Sequence, residues 1–328
     1  VQRMVGENYD ARKLGSGGHA WTNWAGHQSC RPRDLIRVSR VGELAEVVGA
    51  AGAAGRQITT VGSGHSFTPT ALSDDLLLDI SRISGVISAD RDSGLVEVGA
   101  GTVLADLNRE LDHLGLAMPN LGDIDRQTIA GAVSTGTHGT GRALPNISAQ
   151  IEKARIMGAD GEIRELEPGS DGLLAARVAV GSLGVLVSVT LRTVPAFNLH
   201  RVDAPMDLDQ VLAGFDRITE ENEHFEFFVF PYTRTALTLI RNRTDQPLAP
   251  RSQADRFLGD VVVENGLGDL ALRLTGRFRS AIPKMARFST GFMSQSEQID
   301  VSHRVFANYR TIRFNEMVAE KKVPASLL

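Results

Sequence analysis

Hydrophobic periodicity predicts two amphipathic helices in the first third of the chain. Apolar residues recur at helical spacing over Val41–Ala54 and again over Val103–Leu114, as expected when one face of a helix packs on a core. Threonine commonly caps the start of a helix, and glycine commonly follows its end. We therefore predict that Thr102 caps the second helix and that Gly115 ends it.

Short apolar runs predict strands in the intervening segments. The predicted strands are Leu76–Ile80, Leu95–Val98, Ile151–Met157, Glu162–Leu166 and Val185–Val194. Asp160-Gly161, between the third and fourth strands, is typical of a hairpin turn. We also expect a helix over Ser170–Val180, and we expect Pro195 to end the last strand.

The pattern changes near residue 196, which we interpret as a domain boundary. Aromatic and charged residues become more frequent from Phe197 onward. Residues 1–20 lack hydrophobic periodicity and are expected to form a loose tail. The predicted organisation is therefore a tail over residues 1–20, a first domain over 21–196 and a second over 197–328.

Composition narrows the class of protein. The 328 residues carry a formal net charge of −4 and no basic block, so the electrostatic footprint of a nucleic-acid-binding protein is missing. Cys30 is the only cysteine, and the eight histidines form no H-x-H or H-x-x-x-H pair, so we expect no disulfide and no metal site. The sequence has neither a signal peptide nor an apolar run long enough to span a bilayer, and a cytoplasmic location is expected.

The turn over Val61–Phe67 is the first candidate for chemistry. Its two glycines let the backbone approach a ligand, and successive N–H groups in such a turn form an anion nest. A dinucleotide fingerprint would need a third glycine where Phe67 stands, and an esterase elbow would need one at Thr68. A Walker P-loop would need Gly-Lys-Ser/Thr, which is missing here. His65 lies inside the turn, as a ligand contact or simply as a hydrogen-bonding turn residue.

Two further glycine-rich segments suggest a long cofactor. Asn120–Asp123 leads through Ile129–Val133 to Ser134–Gly141, a run of small and hydroxyl residues that can approach a flat or phosphate-bearing ligand. Gly181–Val187 is a glycine turn that enters a strand. Two separate cradles fit FAD better than a small anion. Such loops are also common in β-rich proteins, and His138 alone is compatible with a structural role.

The ordered set of motifs resembles the vanillyl-alcohol-oxidase-type flavoproteins, specifically the sugar-1,4-lactone oxidases and the related alditol oxidases. The segments that match are Asn23-Trp24-Ala25-Gly26, Val61–Phe67, Asn120–Gly122, Gly131–Gly141 and Gly181–Val187, within a match from about Trp21 to Met317. The resemblance implies an α+β fold. It would comprise a PCMH-type FAD-binding domain with two subdomains, followed by an α+β substrate domain.

The resemblance also implies a set of cofactor contacts. In the family, the first glycine turn holds the FAD pyrophosphate, and its histidine bonds to the flavin 8α-methyl group, whereas members with another residue there bind FAD non-covalently. His65 is therefore the expected attachment site. The implied cofactor-binding residues are Val61, Gly62, Ser63, Gly64, His65, Ser66, Phe67, Gly122, Asp123, Thr128, Gly131, Thr135, Gly136, Thr137, His138 and Val187. Gly122 corresponds to a gate position where glycine accompanies reactivity with oxygen.

The implied reaction is hydride transfer from an aldono-1,4-lactone, such as L-gulono- or D-arabinono-1,4-lactone, to flavin N5. The product enolises to ascorbate or an analogue, and the electrons pass to O₂ or another acceptor. We keep three alternatives: an alditol oxidase acting on a polyol, a catalytically incompetent FAD-binding fragment, and a glycine-rich scaffold without cofactor. Some relatives are bound to membranes, so peripheral membrane association is a further alternative.

The chain departs from the family in its last segment. The family's substrate domain supplies a Glu-x-Arg pair and a His-Trp-x-Lys-like segment, and neither occurs after residue 197. The resemblance breaks after Met317, where Val318–Pro324 replaces an expected aromatic strand. We therefore expect an incomplete substrate domain and leave the catalytic acid–base residue unassigned.

Overall fold

The computed structural model describes residues 20–252, 277–291 and 293–307. The predicted N-terminal tail, except Ala20, and the segment after residue 307 lie outside these ranges. The described residues fall into two compact units. The first comprises residues 20–119, 125–138 and 145–195, and the second comprises 120–124, 139–144 and the described residues from 196 onward.

The first unit contains twelve strands and four α-helices among the residues that the structure describes. The strands are β1 (Trp21–Thr22), β2 (Ser29–Cys30), β3 (Asp34–Arg37), β4 (Ile58–Val61), β5 (Leu76–Asp79), β6 (Val86–Asp90), β7 (Leu95–Gly99), β8 (Leu116–Ala117), β9 (Ile151–Met157), β10 (Ile163–Leu166), β11 (Val185–Arg192) and β12 (Val194–Pro195). The helices are α1 (Val41–Ala53), α2 (Leu104–His113), α3 (Ile129–Ser134) and α4 (Asp171–Ala176).

A small parallel sheet with the order β3-β5-β4 forms one part of this unit. Its central strand is apolar and fully buried at Leu76, Leu77 and Leu78, as expected for a parallel strand covered on both faces. Helix α1 packs its buried face, including Leu44 and Val47, into the same core. The predicted helix over Val41–Ala54 is thereby confirmed.

An antiparallel sheet with the order β10-β9-β11-β7-β6 forms the other part. Strands β9 and β10 make the predicted hairpin, and Gly161 at its turn has φ of 80°. One hydrophobic cluster contains Leu44 and Leu78 from the parallel part together with Met157 and Val187 from the antiparallel part. The shared core therefore brings β4 and the start of β11 into one compact structure.

Three local predictions need correction. Thr102 does not cap α2, because its hydroxyl donates to the Gly99 carbonyl at 2.6 Å and accepts from Gly85 N–H at 2.9 Å, leaving Val103 at the cap. Helix α4 is shorter than predicted, and the positive φ of 49° at Val180 is incompatible with a helix continued that far. Pro195 does not follow the last strand but pairs within β12.

The second unit is built on a four-stranded antiparallel sheet with the order β14-β15-β13-β16. Its elements are β13 (Asn198–Asp207), α5 (Leu208–Glu221), β14 (His224–Val229), β15 (Thr235–Thr244), α6 (Ile282–Thr290), β16 (Ser296–Val301) and α7 (Ser302–Phe306). Asp207 caps α5 by accepting from Asp209 and Gln210 N–H. Val211 and Ile218 of α5 pack in one hydrophobic cluster with Phe225 of the sheet.

The same sheet carries a row of two arginines and a histidine. Arg201, Arg241 and His224 are register partners on β13, β15 and β14. Side chains alternate between the faces of a sheet, so these three project from one face, and Phe225 projects from the other. None of the helices in the described ranges is both long and apolar enough to cross a membrane.

Candidate cofactor site

A cleft of about 510 Å³ opens in the first unit at the carboxyl end of β4. Its lining includes β4 with the following turn (residues 58–66) and Thr128, which precedes α3. The end of β9 with its turn (residues 156–159) and the segment that enters β11 (residues 179–186) line it as well. The volume is typical of small-molecule and cofactor sites.

The glycine turn after β4 has no room for side chains at its two glycines. A Cβ at Gly62 would overlap the Thr128 hydroxyl. Gly64 has φ of 67°, and a Cβ there would lie 2.9 Å from the Trp21 ring. Close packing therefore requires glycine at both positions, against Thr128 from the second glycine-rich segment and against the Trp21 ring.

The hairpin of β1 and β2 holds this turn in place. Trp24 N–H donates to the Gly64 carbonyl at 3.0 Å, and the Asn23 side-chain amide donates to the Ser66 carbonyl at 3.0 Å. The Phe67 carbonyl accepts from Gln28 Nε2 at 3.3 Å. The Asn-Trp-Ala-Gly motif had no assigned role in the sequence, and the structure shows that it clamps the glycine turn.

Helix α3 brings the second cradle to the cleft. Thr128 caps the helix by accepting from Gly131 N–H at 3.3 Å, and Thr135 at the other end donates to the Gly131 carbonyl at 2.9 Å. Ile129, Ala132 and Val133 are buried. The helix therefore presents small and hydroxyl residues to the cleft and anchors them through its apolar side.

His65 is half-buried in the lining of the cleft. Burial lowers the pKa of its imidazole below the usual value, and the positive charge of Arg126 adds to the shift. The Trp24 ring stacks on the imidazole with 4.8 Å between ring centroids and an interplanar angle of 28°. A neutral imidazole at neutral pH is the form that can act as a nucleophile.

The structure brings most of the predicted cofactor residues together. Those that line the cleft are Val61, Gly62, Ser63, Gly64, His65, Ser66, Thr128, Gly131 and Thr135. The others in the first unit do not line it: Phe67 is 44% exposed beside Trp24, Val187 is 1% exposed in the core, and Gly136, Thr137 and His138 follow α3. Gly122 and Asp123 belong to the second unit.

Some lining residues were not among the predicted ones. Gly158 and Ala159 at the β9–β10 turn and residues 179–186 form part of the wall. For Gly158 and Ala159, the small size of the residues was the only indication in the sequence. The glycine turn over Gly181–Val187 was recognised in the sequence, but Leu186 rather than Val187 lines the cleft.

A charged cluster in the second unit surrounds Asp123. Arg241, only 1% exposed, contacts Glu226 Oε1 at 2.6 Å and Asp123 Oδ1 at 3.6 Å through Nη2. Burial, followed by the negative charge of Glu226, raises the pKa of Asp123 to about 6, against the opposing charges of Arg241 and Arg201.

His224 lies beside this cluster. Burial, followed by the charge of Arg241, lowers the pKa of His224 to about 4, and its Nδ1 donates to the Thr140 carbonyl at 3.1 Å. Within the described ranges, no group of three or more histidine, cysteine or acidic side chains is arranged to hold a metal ion.

Two family models match the chain in order. Residues 32–167 match an FAD binding domain, and residues 189–325 match D-arabinono-1,4-lactone oxidase. The second match extends past Met317, where we expected the resemblance to end.

Several relatives match over most of the chain. L-gulono-1,4-lactone dehydrogenase of Mycobacterium tuberculosis is 42% identical over 297 residues, which are 90% of this chain and 69% of the relative. L-gulonolactone oxidase of Mus musculus is 30% identical over 94% of this chain and 70% of its own length. The chain belongs to the FAD-dependent aldono-1,4-lactone oxidoreductase family. D-arabinono-1,4-lactone oxidase of Eremothecium gossypii is 33% identical over a shorter match, which covers 75% of this chain and 48% of that relative.

Solved structures resemble the fold of this aldonolactone oxidoreductase. Cholesterol oxidase from Brevibacterium sterolicum superimposes with a TM-score of 0.68 at 15% identity, over 92% of this chain and 63% of that chain. At this identity the likeness shows the fold alone, and it confirms the predicted PCMH-type α+β architecture. FAD is the cofactor of the first domain. The residues present fit it, because a cleft lined by the glycine turn and by small and hydroxyl side chains includes a half-buried imidazole.

Proposed function

We propose that this protein oxidises an aldono-1,4-lactone, with L-gulono-1,4-lactone and D-arabinono-1,4-lactone as the candidate substrates. The observation that carries the proposal is the 42% identity, over 90% of the chain, to an L-gulono-1,4-lactone dehydrogenase. The match of residues 189–325 to D-arabinono-1,4-lactone oxidase supports the same substrate class. We retain residues 21–196 as the FAD-binding domain and 197–328 as the substrate domain.

FAD, when bound, supplies a ring system that accepts the hydride from the substrate carbinol. The N–H groups of the turn over Val61–Phe67 would bind the negatively charged pyrophosphate, since residues 61–66 of this turn line the cleft. Thr128, Gly131 and Thr135 line the same cleft and would contribute further contacts. The proposal also keeps the predicted cofactor contacts that do not line the cleft, which are Phe67, Gly122, Asp123, Gly136, Thr137, His138 and Val187.

We further propose that His65 bonds covalently to the flavin 8α-methyl carbon. In this bond an imidazole nitrogen of His65 would replace one hydrogen of the methyl group. The imidazole N–H and one methyl C–H bond would break, and dioxygen would take up both hydrogens with two electrons as hydrogen peroxide. The lowered pKa of His65 supports this role, because only the neutral imidazole has a free electron pair.

Acid precipitation of FAD-supplied protein tests both the cofactor and the bond. We expect flavin absorbance and the mass of a flavin adduct in the washed wild-type pellet, and flavin only in the supernatant for His65→Ala. Folded wild-type protein with flavin in neither fraction would rule out FAD binding by this chain. Wild-type flavin confined to the supernatant would rule out the covalent bond alone.

Substrate assays separate the proposed activity from its alternatives. We expect reduction of an artificial dye, or oxygen uptake, with L-gulono-1,4-lactone or D-arabinono-1,4-lactone. Oxidation of xylitol alone would favour an alditol oxidase. FAD-loaded protein that oxidises none of these would favour a catalytically incompetent FAD-binding chain. Comparing oxygen with the dye identifies the acceptor, and the glycine at position 122 favours oxygen.

Peripheral membrane association also remains part of the proposal. Phe278 and Phe288 are 55% and 65% exposed, and the basic residues Arg279, Lys284 and Arg287 lie on or next to α6 with them. Exposed aromatic and basic side chains on a helix favour anionic lipid surfaces. We expect co-sedimentation with anionic vesicles that Phe278→Ser/Phe288→Ser weakens. Equal sedimentation with and without vesicles would contradict the association.

A further inference from the structure

The His65 ring is held by a face contact rather than by hydrogen bonds. Its imidazole stacks on Trp24 at 4.8 Å between centroids and 28° between planes. Across the described ranges, neither ring nitrogen of His65 makes a hydrogen bond, and its pKa shift comes from burial and from Arg126 alone. Trp24 is therefore the aromatic contact that fixes the plane of this imidazole, while its nitrogen-bearing edges stay free to react.

Trp24 is itself fixed by the turn that carries His65. Its backbone N–H donates to the Gly64 carbonyl at 3.0 Å, directly before His65. Asn23, only 5% exposed, donates to the Ser66 carbonyl at 3.0 Å, directly after His65. Phe67 meets the Trp24 ring edge to face at 6.4 Å. The indole and the imidazole are thus tied together through the backbone on both sides of the histidine.

This arrangement matters because forming a covalent bond requires the attacking nitrogen to be aligned with the carbon that it attacks. An exposed histidine samples several rotamers, and only part of that population can react. A stacked neighbour removes these rotamers before the reaction, and it also shields one face of the ring from water. Alanine at position 24 would let the imidazole adopt other rotamers and would expose this face of the ring to water.

We propose that Trp24 is the positioning residue that orients His65 for covalent attachment of the flavin. The inference rests on the proposed bond between His65 and FAD. It assigns to the Asn-Trp-Ala-Gly segment a role in cofactor attachment beyond clamping the turn.

The experiment measures how fast acid-stable flavin appears after FAD is added to apoprotein, with total bound FAD measured before acid treatment. We expect Trp24→Ala to slow attachment by about tenfold or more, the scale of lost orientation, with most non-covalent binding retained. Trp24→Phe keeps a ring and should attach flavin at close to the wild-type rate. Trp24→Leu keeps apolar bulk without a ring face and should behave like Trp24→Ala. Phe228→Ala, which removes an exposed ring of the second unit, is the control for loss of an aromatic side chain.

A second readout follows the imidazole itself. In NMR titrations of the apoprotein, the pKa of His65 should lie closer to 6.5 in Trp24→Ala, which removes the side chain stacked on the imidazole, than in Trp24→Phe, which keeps a ring there. Attachment as fast in Trp24→Leu as in Trp24→Phe would overturn the inference while leaving the His65 bond intact. Wild-type protein without acid-stable flavin would overturn both proposals. Trp24→Leu remains informative if the alanine variant fails to fold.

Discussion

Gly62 is the residue at which the cofactor cradle tolerates the least change. A methyl group there would overlap the Thr128 hydroxyl, which caps α3. We expect Gly62→Ala to push the turn and the helix cap apart and to weaken FAD binding by at least about tenfold, the effect of roughly 1.4 kcal/mol. Equilibrium dialysis with FAD measures the change when this variant and its control both carry His65→Ala, so that no covalent bond forms. Gly42→Ala in α1, where a Cβ meets nothing within 4 Å, is the matched control. Equal FAD affinity in both variants would contradict a tight cradle.

Asp123 gives the second unit a pH-dependent stability. Its pKa is raised to about 6 in the folded protein from an ordinary value of 3.8, so its proton is held more tightly folded than unfolded. The stability it contributes is full below about pH 4 and is lost as pH rises through about 6. Burial and the negative charge of Glu226 raise the pKa of Asp123, and the positive charges of Arg241 and Arg201 oppose this shift.

We expect Asp123→Asn to remove this loss, because an amide does not ionise and Glu226 keeps Arg241 paired. Thermal melts at pH 5 and pH 8 should show a smaller difference for the variant than for wild type, by roughly 2–4 °C. His224 titrates in the opposite sense, since its lowered pKa makes acidification destabilising, and it is unchanged in both proteins. An identical pH difference in variant and wild type would contradict a raised pKa at Asp123.

At this scale, the sequence predicts residues whose role is local. Gly62 and Gly64 could be recognised as turn residues because a turn without room for side chains selects glycine within a few positions. The contact of Trp24 with His65 could not, because the two residues meet only after the β1–β2 hairpin folds onto the turn. The difference between Leu186 and Val187 depends on strand register, which a single residue shift reverses.

Among the helices and strands, those with clear periodicity were predicted well. Helix α1 begins at the predicted residue and ends one residue earlier than predicted. The prediction was accurate because four regularly spaced apolar residues are buried on the inner face of the helix. Thr102 failed as a cap because its hydroxyl found partners at Gly85 and Gly99, outside the helix. Residue type favours a cap, but tertiary hydrogen bonds decide whether it forms.

Helix α1 also offers a paired test of close packing. A Cβ at Gly52 would overlap the Ala159 carbonyl in the β9–β10 turn, whereas Gly42 in the same helix has open space. We expect Gly52→Ala to destabilise the protein by about 1–3 kcal/mol through overpacking. Gly42→Ala should be neutral or stabilising by up to about 1 kcal/mol through helix propensity. Urea unfolding measures both. Two variants of equal stability would contradict the close approach of α1 to this turn.

For the molecule as a whole, the change in composition near residue 196 predicted a domain boundary. It did not predict which segments of the chain belong to which unit. The second unit includes the short segments 120–124 and 139–144, which lie within the stretch otherwise belonging to the first. Such interleaving depends on contacts between distant residues, and no local pattern records it. The PCMH-type architecture itself was predicted through the family resemblance, since the motifs occur in the family's order.

Cofactor linkage gives a test of the whole molecule. A ligand that binds only the folded state adds about 2.7 kcal/mol of stability at one hundred times its dissociation constant. In His65→Ala, where FAD can leave, the melting temperature should therefore rise with FAD concentration. Wild-type protein with covalently bound FAD should not respond to added FAD. A melting temperature of His65→Ala that is independent of FAD would contradict binding to the native state, and scanning fluorimetry at several FAD concentrations provides the measurement.

The cleft also constrains when the cofactor can be acquired. Part of the lining comes from β4, which ends at Val61, and from the turn that follows it. Another part comes from the segment that enters β11, which begins at Val185 and pairs with β7 and β9. Contacts between such distant parts of a chain form slowly, because the intervening loop must close first. A nascent chain that has not yet delivered β11 lacks one side of the cleft. The complete cleft therefore exists only after residues 179–192 have been synthesised and β11 has paired with β7 and β9.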